Sequence, residues 1–287
     1  MVNYPQLLLL GAFAGLTIFL GLPLAALQRV SARTKGFLNA FSIGILIFLI
    51  VDVLGHAWGS TGDAAYAAFA GKGSVGNAVL DLIAMFGGLA VGFLGLTWYG
   101  GQFMKDTFVR SSVTETNVAA AGGAGQDREF KLMQQTNAYR LSMMIAIGIG
   151  VHNFSEGLAI GQSYASGAIG LALILIVGFA AHNATEGFGI AGPLTGLSNR
   201  PSGRFLLVTG LVGGLPTFIG TELGSLWSST LAYIFFLAIA GGALVYVSFL
   251  MYNSGRRQVT NNILMLGIFI GLLAGFLSDL LITLGGA

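Results

Sequence analysis

Apolar residues run through this chain in stretches of twenty or more, and the polar positions gather in the gaps between them. A helix needs about 20 mostly apolar residues to cross a hydrocarbon core of roughly 30 Å. Eight such stretches can be marked, at approximately 5–27, 37–57, 77–99, 138–163, 167–194, 204–226, 230–252 and 261–284. The pattern predicts an all-α integral membrane protein, a single transmembrane domain over residues 1–287 with eight spanning helices. No basic residue precedes the first apolar run, so it is expected to remain as helix 1 and not to be cleaved as a secretory signal. One connection is long, about 100–136, and contains "SSVTETNVAAAGGAGQ". Its small and polar residues bury too little surface to fold alone, and a flexible cytoplasmic loop between helices 3 and 4 is expected.

Composition agrees with the pattern. Hydrophobic residues make up 55% of the chain and charged residues 8%, against roughly 25% charge in soluble domains. The partner this implies is a lipid bilayer; a formal charge of +2 gives no reason to expect nucleic acid. Forty-five glycines suit helices that pack backbone to backbone, as in the spacing of Gly267, Gly271 and Gly275. Cysteine is absent, so any metal ligands are nitrogen or oxygen.

The placement of basic residues sets the expected orientation. Arg29, Arg33 and Lys35 follow the first stretch, Lys105, Arg110, Arg128, Lys131 and Arg140 the third, Arg200 and Arg204 the fifth, and Arg256 and Arg257 the seventh. Only Lys72 lies in a connection on the opposite side. The positive-inside rule then puts both termini outside a cell membrane crossed many times.

Against this background the ionisable residues inside the apolar stretches stand out. All three histidines, His56, His152 and His182, fall there, with Asp52, Glu156, Glu186, Glu222 and Asp279. Such a group costs about 2.5–3.5 kcal/mol at the membrane centre on insertion scales, so it normally faces a partner or an aqueous path. The fourth stretch contains "HNFSEG" and the fifth "HNATEG". In each, histidine and glutamate are four apart and share one helix face, about 6 Å apart in rise, with the asparagine to the side. The two helices cross in opposite directions and each histidine lies about fifteen residues from its helix start, so both clusters come near the midplane. His152, Glu156, His182 and Glu186 make a set of two nitrogens and two oxygens, suited to Zn²⁺ and also to Fe²⁺, Co²⁺ or Mn²⁺. A bland alternative is that the groups only hydrogen-bond the bundle together.

The doubled motif resembles the paired signatures in helices 4 and 5 of the ZIP family of divalent metal transporters. The resemblance extends over the chain: eight helices, both ends outside, a long connection after the third, and "GGLPTFIGTELG" in the sixth. It implies transport of divalent metal ions into the cytoplasm by alternating access, with Zn²⁺ first and Fe²⁺, Mn²⁺, Co²⁺ or Cd²⁺ fitting the same donors. The metal is cargo, and no cofactor is implied. By the resemblance, His152, Glu156, His182 and Glu186 match one metal site between helices 4 and 5, and Asn153, Asn183 and Glu222 match an adjacent second one. It also implies an elevator-like movement of helices 1, 4, 5 and 6 against the rest, and a homodimer. Two departures are visible: Ser155 and Thr185 stand where the family often has proline, and the loop has no histidine.

Other intramembrane charges have weaker patterns. Asp52 and His56 are spaced four apart near the outer end of helix 2, and Asp81 and Asp279 also fall toward the outside. With Glu222 they predict an acidic entrance that concentrates cations, although each alone is also a natural cap or solvated terminus. Pro216, just before Glu222, is expected to break helix 6 and open backbone carbonyls. Two other functions fit the same residues: an intramembrane zinc-dependent metalloenzyme, disfavoured because HExxH is absent, and a proton channel built on histidine and carboxylate relays.

Overall fold

The structure, a computed structural model, describes residues 3–26, 31–118, 124–165, 167, 169–195, 197, 199–226, 229–256 and 259–284. Eight long helices follow one another: α1 Tyr4–Leu16, α2 Ala32–Phe69, α3 Val75–Val118, α4 Ala124–Ala165, α5 Ile169–Ala191, α6 Gly203–Leu226, α7 Thr230–Gly255 and α8 Asn261–Leu284. Among the described residues, seven spans are long and apolar enough to cross a membrane; α5, with 23 residues, is the eighth long helix. The all-helical, multi-pass membrane architecture expected from the apolar runs is therefore the one observed.

The boundaries differ from the sequence reading in several places, and α2 continues to Phe69 where the apolar stretch ends near residue 57. α1 ends at Leu16 and continues as two 3₁₀ turns, Thr17–Leu20 and Leu22–Ala26. Pro23 has no N–H to offer an α-helix, and Gly21 lets the chain press onto the backbone of Ala184 and Gly187 in α5. The connection 100–136, expected to be a loop, is helical up to Val118 and again from Ala124; residues 119–123 lie outside the described residues. Once a transmembrane helix has formed, adding residues at its end is cheap, since nucleation is already complete. α6 runs unbroken through Pro216, where a break was expected. The proline leaves Val212's carbonyl without its amide partner, and Gly150 of α4 packs its backbone directly against that oxygen.

Glycine divides the bundle. In one group, Gly15 of α1 lies against the Gly214 carbonyl of α6, Gly157 and Gly161 of α4 lie against the Thr217 and Thr221 carbonyls of α6, and Gly187 of α5 against Ile18. A Cβ at any of these would overlap backbone. In the other group, Gly44 of α2 meets Ile268 of α8, and Gly92 of α3 meets Ile239 of α7. Thus α1, α4, α5 and α6 are zipped together through their backbones, and α2 with α8 and α3 with α7 likewise. Across the boundary the contact is through side chains: Gly148 of α4 faces the Val247 side chain of α7, and Phe154 meets Phe236 edge to face with ring centroids 5.1 Å apart. The largest apolar cluster, including Ile43, Leu46, Ile145, Ile149, Leu244 and Val247, fills this boundary.

The pairings also show direction. Along α4 and α6, Gly150, Gly157 and Gly161 meet Val212, Thr217 and Thr221 in order, so the two helices run parallel. The starts of α2 and α8 lie together through Gly36 and Val259.

Candidate metal site

Helices α4 and α5 bring both motifs to the centre of the bundle. His152, Asn153, Glu156, His182, Asn183 and Glu186 are all buried, none more than 6% exposed. Continuous helix through each motif sets the face: α4 passes through Ser155 and α5 through Thr185 without interruption. The departures from proline find separate explanations. Ser155 donates to the Phe236 carbonyl of α7 at 3.0 Å, and Thr185 donates back to the His182 carbonyl at 2.7 Å, which absorbs its hydroxyl within the same turn.

The four ionisable side chains form a chain of near contacts. His152 Nε2 lies 3.2 Å from Glu156 Oε1 and 3.8 Å from Glu186 Oε1, and His182 Nδ1 lies 4.0 Å from Glu156 Oε1. Two ligands of a tetrahedral Zn²⁺, each about 2.0–2.1 Å from the metal, are separated by roughly 3.4 Å. The observed separations bracket that edge, with His182 standing widest. As they stand, no three His, Asp or Glu side chains among the described residues are drawn tightly enough around one point to hold an ion.

The two asparagines are held in matching ways. Asn153 donates its amide to the Gly213 carbonyl of α6 at 2.9 Å, one residue beyond the carbonyl that Pro216 leaves unpaired. Asn183 donates to the Ala14 carbonyl of α1 at 2.8 Å. In each case the amide oxygen is left unpaired. Of the eleven buried side-chain nitrogen and oxygen atoms with no hydrogen-bond partner among the described residues, eight belong to these six motif residues. Buried polar groups are nearly always satisfied, and an unpaired buried carboxylate is among the costliest arrangements a protein can hold. Hydrogen bonds that only brace the bundle would not leave so many buried donors and acceptors unmatched in one place.

His182 is supported from the other helix group. Its Nε2 meets the Ser278 hydroxyl of α8 at 3.2 Å, and its ring lies 5.8 Å from the Phe48 ring of α2. Sequence reasoning missed Ser278 and Phe48, because nothing local in the sequence links positions so far apart to His182.

The residues of the expected entrance are placed variously. Asp52 is half-buried and pairs with the exposed His56 at 3.4 Å, and His56 Nδ1 also meets the Asp52 carbonyl at 2.9 Å. Asp52 is also within electrostatic reach of Asp279 and His152, which links it to the central cluster. Asp81 is buried near the start of α3. Glu222 is partly buried, with Oε1 unpaired. The ion pairs that tie the central four together do not include it; the backbone pairing of Gly161 with Thr221 sets it about one turn beyond Glu156.

Comparison with known proteins follows the same residues. The profile of a family described as "ZIP Zinc transporter" matches residues 105–283, a stretch that includes both motifs and α6. Among curated proteins, "Zinc transporter ZIP10" of Mus musculus is 27% identical over 163 residues. That alignment covers 53% of this chain and 19% of the mouse protein, so the chain spans only a minor part of that relative's length.

Proposed function

This chain belongs to the ZIP zinc transporter family, and from that premise we propose that it carries divalent metal ions, Zn²⁺ first, across the membrane into the cytoplasm. The observation that carries the proposal is the set of eight unpaired buried donor and acceptor atoms on His152, Asn153, Glu156, His182, Asn183 and Glu186. His152, Glu156, His182 and Glu186 supply the two nitrogens and two oxygens of one site. The free oxygens of Asn153 and Asn183, with Glu222 a turn beyond, supply a neighbouring one, and Glu156 is the carboxylate best placed to bridge.

Cations gather at Asp52, His56, Asp81 and Asp279, lose water, and bind between α4 and α5. Release needs the site to face the other side. The backbone zipping of α1, α4, α5 and α6 supports their movement as one body, because glycine contacts of that kind resist shear within the group, whereas the side-chain packing at the α4–α7 boundary can slide. The basic residues that flank alternate helices support an orientation with both termini outside. Fe²⁺, Mn²⁺, Co²⁺ and Cd²⁺ share the donor preferences, so selectivity rests on geometry and availability.

The deciding experiment is uptake into liposomes by the purified protein. Changing His182 and Glu186 together to alanine removes half of the central donors and is expected to abolish Zn²⁺ uptake; undiminished uptake overturns the proposal.

A further inference from the structure

Ser278 has one proton and two neighbours that compete for it. The Gly275 carbonyl, one turn back on α8, lies 2.7 Å from its oxygen, and His182 Nε2 lies 3.2 Å away. The shorter contact is to an atom that can only accept, so the hydroxyl proton goes to Gly275. The Ser278 oxygen is then left with lone pairs toward His182, and Nε2 must carry a hydrogen to make the bond. A neutral imidazole has a single N–H, so Nδ1 carries a lone pair.

The opposite tautomer fits less well. With the proton on Nδ1, the facing atom is Glu156 Oε1 at 4.0 Å, beyond hydrogen-bond range. Nδ1 has no partner among the described residues. A lone pair and a carboxylate oxygen thus face each other across a buried gap, an arrangement that is unfavourable until a cation enters it. The Phe48 ring covers another side of the imidazole and limits its rotation.

We propose that Ser278 is a positioning residue for His182: by accepting its Nε2–H, it fixes the tautomer whose Nδ1 lone pair takes the transported metal ion. The role in transport rests on the function proposed above, whereas the tautomer does not. Because α5 and α8 belong to different helix groups, the bond is made in this arrangement of the bundle and breaks when the groups slide. Ser278 thus prepares His182 for metal on one side of the cycle only.

Three histidines in the whole chain make the test tractable. Long-range ¹H–¹⁵N spectra of the full-length, metal-free protein with labelled histidine, at about pH 8 where imidazole is neutral, report each tautomer; loss of a signal in His182→Gln assigns it. The expected result is an Nε2–H tautomer for His182 in the unaltered protein and a mixture in Ser278→Ala. Affinity for Zn²⁺, measured by titration, should fall by about tenfold or more in Ser278→Ala, the usual effect of removing such a support. Ser278→Thr, which keeps the hydroxyl, should restore both. An Nδ1–H tautomer in the unaltered protein overturns the assignment, even if the alanine variant fails to fold. So does an alanine variant with unchanged tautomer and affinity, or a threonine variant as impaired as alanine. If the tautomer is as expected but the unaltered protein neither binds nor takes up Zn²⁺, the transport reading falls and with it the role given to Ser278.

Discussion

Ser155 of α4 donates its hydroxyl proton to the carbonyl oxygen of Phe236 on α7, 3.0 Å away, one residue before Glu156, a carboxylate of the proposed metal site. This bond crosses the boundary between the two helix groups, which apolar side chains largely fill and which the contact of Ser278 with His182 also crosses. A proline here would supply no such donor and would strain α4 instead. The serine therefore ties the site-bearing helix to its neighbour at the level of the site.

If α4 slides against α7 during transport, that tie has to break. Ser155→Ala is expected to reduce stability by about 1 kcal/mol, the ordinary worth of one such bond, and the melting temperature by roughly 2–4 °C. Maximal Zn²⁺ uptake should hold or rise, since a restraint on the movement has gone. A variant of normal stability with slower uptake would show that Ser155 serves the site and not the boundary.

Asn153 gives a sharper test of the second set of donors. Its amide nitrogen is committed to the Gly213 carbonyl and its oxygen is unpaired. Asn153→Asp replaces that donor with a second carboxylate oxygen facing a carbonyl, which is expected to cost about 1–3 kcal/mol in the metal-free protein. The same change adds negative charge to the site, so Zn²⁺ should raise the variant's melting temperature by more than it raises that of the unaltered protein. Equal metal-induced shifts in the two proteins would place Asn153 outside the metal's reach.

How much of this was legible beforehand follows from the range of the interactions involved. The apolar runs report a local balance with lipid, and they located the helices to within a few residues except where the helix outlasts the apolar run, as in α2, α3 and α4, or gives way early to 3₁₀ turns, as in α1. The spacing of His152 with Glu156 and of His182 with Glu186 is a property of one helix each, and the repetition of the motif linked the two. Ser278 and Phe48 reach His182 only through the arrangement of α2, α5 and α8, which no local pattern encodes. Pro216 shows the limit from the other direction: its effect on α6 depended on Gly150 and Asn153 of another helix, which cover or engage the carbonyls around it.

The division of the bundle by glycine predicts two different responses to the same substitution. A methyl at Gly157 would overlap the Thr217 carbonyl of α6, with backbone on both sides of the contact, whereas at Gly148 it would meet a methyl of Val247, on a boundary where side chains and not backbones touch. Gly157→Ala is expected to cost about 1–3 kcal/mol through overpacking and to disturb the proposed metal site at Glu156, one residue away. Gly148→Ala should be milder, with uptake changed more than stability if, as proposed, the two helix groups slide along this boundary. Thermal unfolding and initial uptake rates of the two variants, measured side by side, check the contrast; equal destabilisation would mean that the boundary is as rigid as the zipped groups.

Asp52 pairs with His56 at 3.4 Å and lies within electrostatic reach of Asp279 and His152. It is half-buried and flanked by apolar helix surface, a setting in which low-dielectric walls concentrate the potential of a carboxylate on the approaching ion. Asp52→Asn keeps the shape and removes the charge. Its effect should therefore appear in capture and not in turnover: the KM for Zn²⁺ uptake should rise by about threefold to tenfold, with the maximal rate nearly unchanged. The difference from the unaltered protein should shrink as salt is added, since the screening length falls from about 10 Å at 0.1 M to about 3 Å at 1 M. A lower maximal rate with unchanged KM would instead make Asp52 part of the movement, and a salt-independent KM effect would make it a direct ligand. Steering by charge alone predicts neither.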